Sequence, residues 1–94
     1  MLSSKIKTLI ADGTEPYFEG KRNFENPTDE FEQLAKQRAT ICGGCRYFRK
    51  EPIPFLRIEE TRVPELSEMA CGKCGCELSY KTRQDIKKCS KWQQ

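Results

Sequence analysis

The sequence predicts a small, metal-stabilised α+β domain, and three observations carry that prediction. Six cysteines include two Cys-x-x-Cys pairs, Cys42/Cys45 and Cys71/Cys74. Residues 27–40 have the cap residues and the apolar period of a helix. The 94-residue chain is also polar, with 36% hydrophobic and 33% charged residues and a mean hydropathy of −0.78. So short and polar a chain buries little surface on folding and usually needs disulfides, a metal or a partner subunit.

The compartment decides which staple applies. The N-terminal apolar run spans only Thr8 to Ala11, too short for a signal-peptide core, and no small-x-small cleavage site follows it. No stretch approaches the roughly 18 apolar residues of a membrane span. Asn26-Pro27-Thr28 is no glycosylation acceptor, because proline occupies its middle position. These features lead us to expect a reducing interior, cytoplasm or virion, where paired Cys-x-x-Cys elements read as metal ligands before disulfides. The chain has no histidine. That excludes Cys2His2 fingers, Ser-His-Asp triads, Cys-His dyads and the usual zinc-hydrolase ligand sets.

Two parts are expected: an extended arm over residues 1–26, and a helix plus metal-binding domain over residues 27–94. Gly13, Pro16, Gly20 and Asn23 interrupt the arm, and its apolar residues come in islands. Tyr17, Phe18 and Phe24 are three aromatics in eight residues, and they are the candidates for docking onto a partner. In the helix, Asn26 or Thr28 can cap, Pro27 suits the first turn, and Asp29 and Glu30 oppose the dipole. Phe31, Leu34, Ala35, Arg38 and Ile41 make its stripe, and Glu32 with Lys36 makes an i,i+4 pair. Pro52, Pro54 and Pro64 forbid a long helix between the cysteine pairs. Residues 46–49, 55–58 and 61–63 read as short strands, in a hairpin or an irregular excursion. After Cys76, the alternation of Cys76, Leu78 and Tyr80 favours a strand followed by a short helix over Arg83 to Lys88. One straight helix over 76–89 would instead set Cys76 and Cys89 about 20 Å apart, at about 1.5 Å per residue.

Two Cys-x-x-Cys elements separated by a loop are the signature of a four-thiolate zinc site. Two intervening residues let both sulfurs of a pair face one point, with backbone N–H groups aimed at them. Gly75, directly after Cys74, sits where such a turn wants positive φ, and Arg46 occupies the equivalent place in the first pair. Zinc at Cys42, Cys45, Cys71 and Cys74 is the first reading. Cys76 and Cys89 form a second tier, as replacement ligands, as parts of a six-cysteine, two-metal cluster, or as buried thiols. Disulfides and an iron–sulfur cluster are the remaining alternatives. Four thiolates close the coordination sphere and leave no position for water, so the site reads as structural and the protein as no enzyme. A redox activity would need an exposed thiol of low pKa.

The formal net charge is +3, and a tetrathiolate zinc centre carrying about −2 would bring it near +1. Charge is uneven, however. Lys73, Lys81, Arg83, Lys87, Lys88 and Lys91 stand against only Glu77 and Asp85, and Tyr80 and Trp92 interleave with them. Such a strip can bind phosphates and stack bases, which makes Lys81, Arg83, Lys87, Lys88 and Lys91 candidate nucleic-acid contacts. It can equally be a solvated face with Trp92 folded inward.

RATICGGCRYF at 38–48, CGKCGC at 71–76 with Lys81-Thr82, and CSKW at 89–92 together resemble a group of short cysteine-rich proteins of tailed bacteriophages. The resemblance covers residues 38–92. Here the loop between the pairs is longer, and the ending lacks the Cys-Pro start. The resemblance implies zinc binding and suggests that all six cysteines belong to one module. The cysteine–glycine centre is also similar to zinc ribbons and treble clefs, the fold class expected here. The expected function is a zinc-binding structural or adaptor protein docking onto protein partners in a larger assembly, a phage particle by that resemblance. The alternative is a nucleic-acid or transcription-machinery binder. No membrane partner is expected.

Overall fold

The computed structural model describes residues 14–93. The first described element is a helix, α1 (Glu15–Glu25), where an extended arm was expected; the arm's first thirteen residues lie outside the described residues. Pro16 sits in the first turn of α1, where its missing N–H does no harm. Gly20 and Asn23, which look like interruptions in the sequence, are its docking points. Gly20 is buried against the backbone of Tyr80, and Asn23 Nδ2 donates to the Arg83 carbonyl at 2.8 Å. Tyr17 and Phe24 meet the Tyr80 ring edge-on, with centroids 5.4 and 5.5 Å away.

The second helix, α2 (Asp29–Gly43), follows after a short break. Thr28 is its cap: Thr28 Oγ1 accepts from the Phe31 N–H at 3.3 Å. Pro27 therefore precedes the cap and does not enter the first turn. Asp29, Glu30 and Glu32 face the positive end of the dipole. The helix buries Ala35, Arg38 and Ala39 and delivers Cys42 at its end.

The sheet is minimal. Strand β1 (Phe48–Lys50) pairs antiparallel with β2 (Met69–Cys71), setting Phe48 opposite Cys71. Of the three expected strands, only residues 48 and 49 fall in one. Pro54 and Pro64 open 3-10 turns, Pro54–Leu56 and Pro64–Leu66, so residues 55–58 and 61–63 run irregularly. The region after Cys76 also differs from expectation. Only Glu77 bridges to the sheet, opposite Ala70, and residues 78–81 form a single helical turn, α3 (Leu78–Lys81). Residues 83–88 are not helical. The buried Gln84 side chain holds them instead: its Nε2 donates to the Lys81 and Lys87 carbonyls, and its Oε1 accepts from the Lys87 N–H.

The apolar core is small: Ala35, Ala39, Val63, Leu66 and Leu78. Beside it lies a buried ionic network. Arg83 is fully buried and donates to Glu60 through Nη1 (3.0 Å) and Nη2 (2.8 Å), and to Glu32 through Nε (2.7 Å) and Nη2 (3.0 Å). Glu60 also accepts from the Ser79 hydroxyl at 2.7 Å and from the Val63 N–H at 3.2 Å. Glu32, expected to pair with Lys36 along the helix, thus forms its ion pairs with Arg83 and Arg62.

Candidate metal centre

Three chain segments bring cysteines to one place. Cys42 comes from the last turn of α2. Cys45 follows in a turn closed by its own N–H donating to the Cys42 carbonyl (2.9 Å) and by the Phe48 N–H donating to the Cys45 carbonyl (3.0 Å). Cys71 ends β2, and the Gly72 N–H ties that turn to the Tyr47 carbonyl at 2.7 Å. Cys89 arrives from the C-terminal side. Arg38, buried on α2, donates from Nη1 to the carbonyls of Thr82 (3.0 Å) and Gln84 (3.1 Å) and pairs with Asp85. That anchor and the Gln84 bonds fold residues 82–88 back toward the end of α2.

Cys42, Cys45, Cys71 and Cys89 line a cavity of about 30 Å³ with Phe48 and Trp92. A water-sized sphere fits such a space. Donors already point at these sulfurs. Trp92 Nε1 donates to Cys42 Sγ at 3.4 Å, Lys91 Nζ to Cys45 Sγ at 3.4 Å, and the Tyr47 N–H to Cys45 Sγ at 3.5 Å. The backbone N–H groups of Cys74 and Lys73 donate to the Cys71 sulfur. Hydrogen bonds of this kind orient thiolate ligands and tune them.

Cys74 does not line that cavity. Its thiol hydrogen-bonds with those of Cys71 and Cys76. Gly75 has φ +79°, as the turn after the second pair requires, while Arg46 does not adopt positive φ. Burial pushes the Cys42 thiol above its usual value. The Cys74 hydrogen bond, reinforced by burial, does the same at Cys71. Among the described residues, no group of three or more cysteine or carboxylate side chains is gathered tightly enough, as it stands, to hold a metal ion. The four thiols surround a cavity without being closed on one point. Four thiols are a donor set that suits zinc chemically.

The basic strip read from the sequence loses one member to the interior of the fold. Arg83 is the clear correction: its guanidinium is buried between Glu32 and Glu60, out of reach of a phosphate. Lys81 lies 5.8 Å from the Trp92 ring centroid, and Lys91 sits on Cys45. Lys87 and Lys88 are exposed. A cationic cluster that draws Lys73 and Lys91 from that strip and adds Arg46 surrounds Tyr47. Arg46, Lys91 and Lys73 stand 5.0, 5.5 and 5.8 Å from its ring centroid, and Arg46 Nη2 donates to its hydroxyl at 2.9 Å. The Arg46 hydrogen bond, with the positive charges around it, holds the Tyr47 hydroxyl below its usual pKa.

Of the candidate docking aromatics, Tyr17 and Phe18 are 43% and 54% exposed, with rings edge-to-face at 5.3 Å. Phe24 is taken up internally, against Tyr80 and beneath the guanidiniums of Arg62 and Arg83. The sequence reading did not give Trp92 and Lys91 their part as donors to cysteine sulfur; the signal available was their position three and two residues after Cys89.

Comparison with known proteins finds no matching family model, no matching curated protein and no matching solved structure. Among the described residues, no helix is long and apolar enough to cross a membrane.

Proposed function

We propose that this chain is a zinc-stabilised binding module without catalytic activity, which docks as a structural or adaptor component onto a protein partner in a larger assembly. A tailed-phage particle is the assembly its cysteine pattern resembles. One observation supports the reading most: four thiols from three separate segments line one cavity, with an indole N–H, an ammonium and backbone N–H groups aimed at their sulfurs. Zinc bound there ties the end of α2, the end of β2 and the C-terminal turn into one unit. The apolar core supplies little of that cohesion. The exposed Tyr17 and Phe18 pair gives a partner an aromatic contact on α1.

Protein purified under reducing conditions is expected to carry zinc by native mass spectrometry. A strong chelator is expected to abolish its cooperative thermal transition, because folding and metal binding are coupled in domains of this size. A metal-free protein with an unchanged melting curve in chelator would end the reading.

The Tyr47 cluster favours a second reading, nucleic-acid binding. Three cations converge on one ring, and none of them forms an ion pair with a carboxylate among the described residues. Single-stranded oligonucleotide binding, measured by fluorescence anisotropy, should weaken steeply with salt. Arg46→Glu with Lys73→Glu should reduce it at least tenfold, while Lys87→Glu with Lys88→Glu should matter less. Absence of binding at low salt would remove this reading.

A further inference from the structure

We infer that the fourth ligand of the zinc site is Cys89 and not Cys74, so that the fold-holding ion sits among Cys42, Cys45, Cys71 and Cys89. The inference rests on the zinc reading above and specifies its ligand set. Spacing alone favours the two Cys-x-x-Cys pairs. The fold adds Cys89 to the cavity that Cys42, Cys45 and Cys71 line and leaves Cys74 outside it, its thiol hydrogen-bonded to those of Cys71 and Cys76.

Cys89 is held in that position by its own neighbours. Residues 90–93 form a 3-10 turn whose Trp92 N–H donates to the Cys89 carbonyl at 3.0 Å. The same turn places Lys91 Nζ on Cys45 Sγ and Trp92 Nε1 on Cys42 Sγ. The Arg38 guanidinium stacks 4.5 Å from the Trp92 ring centroid while its nitrogens hold Thr82, Gln84 and Asp85. The C-terminal turn is therefore pinned to the first cysteine pair at two points and to Arg38 of α2 at a third. Turning a cysteine between staggered rotamers moves its sulfur by about 3 Å, and the proposed site closes by such rotations about the cavity.

Binding is balanced as one Zn²⁺ and four thiols giving a tetrathiolate of charge −2 and four protons released to solvent. Lys81 and Lys91 line the cavity as the cations next to that charge. Cys74 and Cys76 then remain a hydrogen-bonded thiol pair outside the coordination sphere.

The test is native mass spectrometry of the full chain with one zinc equivalent, followed by alkylation of the folded protein and peptide mapping. The expected result is one zinc per chain, with Cys74 and Cys76 alkylated and the other four protected. Cys74→Ser should keep the zinc and Cys89→Ser should lose it. Protection of Cys74 with alkylation of Cys89 would overturn the assignment, as would two zincs with all six thiols protected; either leaves the zinc reading standing. A wild-type chain that takes no zinc would overturn both. Should Cys89→Ser fail to fold, the wild-type alkylation map still decides between Cys89 and Cys74.

Discussion

Replacing Arg83 with leucine is expected to cost about 3–5 kcal/mol, the usual consequence of removing one partner from a buried ion pair. That is a large share of the roughly 5–15 kcal/mol by which domains are stable. Arg83 and Glu60 are both fully buried on their side-chain surface, and Glu32 is nearly so at 15% exposure. Truncation leaves two carboxylates beside the core with only Arg62 as a cationic partner, on Glu32. Urea unfolding at pH 7 would measure the loss, and a loss below about 1 kcal/mol would show that the network is hydrated and weak. The triple variant Arg83→Leu, Glu60→Gln, Glu32→Gln should recover part of the stability, because no unpaired charge remains buried.

The same network sets an acid response. The Arg83 hydrogen bond holds the Glu32 carboxyl below its ordinary value. A carboxylate with a depressed folded-state pKa contributes stability that is complete above the unfolded value, near 4.5, and is lost as pH falls through the folded one. Acid sensitivity below about pH 4.5 is therefore expected in the wild type, and Glu32→Gln should reduce it.

Gly20→Ala sets two effects of opposite sign against each other. In an isolated helix alanine is favoured over glycine by about 1 kcal/mol. In this fold, a Cβ at residue 20 would lie 2.1 Å from the Tyr80 carbonyl oxygen and 2.7 Å from the Tyr80 carbonyl carbon. Those are backbone atoms, so no rotamer change relieves the clash, and α1 must move off α3. Overpacking of this kind typically costs 1–3 kcal/mol or more, so the expected outcome is net destabilisation of about 1–3 kcal/mol. It should be local. Hydrogen exchange over residues 15–25 should lose protection, while zinc stoichiometry stays unchanged, because the cysteine centre lies on other elements. Unchanged or increased protection of α1 would mean that its contact with Tyr80 is not what holds it.

The sequence by itself determined the features whose partners lie within a few residues. Thr28 as cap and the acidic first turn mark the start of α2, because capping acts between positions i and i+3. Gly75 at positive φ follows from one tight turn. The prolines at 52, 54 and 64 exclude a long helix wherever the chain goes. Two cysteine pairs with intervening glycines carry the expectation of a metal centre, and that pattern is local.

Tertiary structure alone decided the rest. Gly20 and Asn23 read as breaks until Tyr80 and Arg83 come against them; a glycine's penalty in a helix is legible locally, and its value at a close approach is not. Glu32 has a suitable partner four residues away, yet it pairs with Arg83, 51 residues distant, because Arg83 is buried and a solvated Lys36 gains little from the pair. The same burial removes Arg83 from the basic strip. Cys74 matches the spacing of a fourth ligand, whereas Cys89 reaches the cavity by a path set by Arg38, Gln84 and Trp92. Spacing constrains which sulfurs can share a turn; which of them share a cavity depends on contacts between residues far apart in the chain, and no local pattern encodes those.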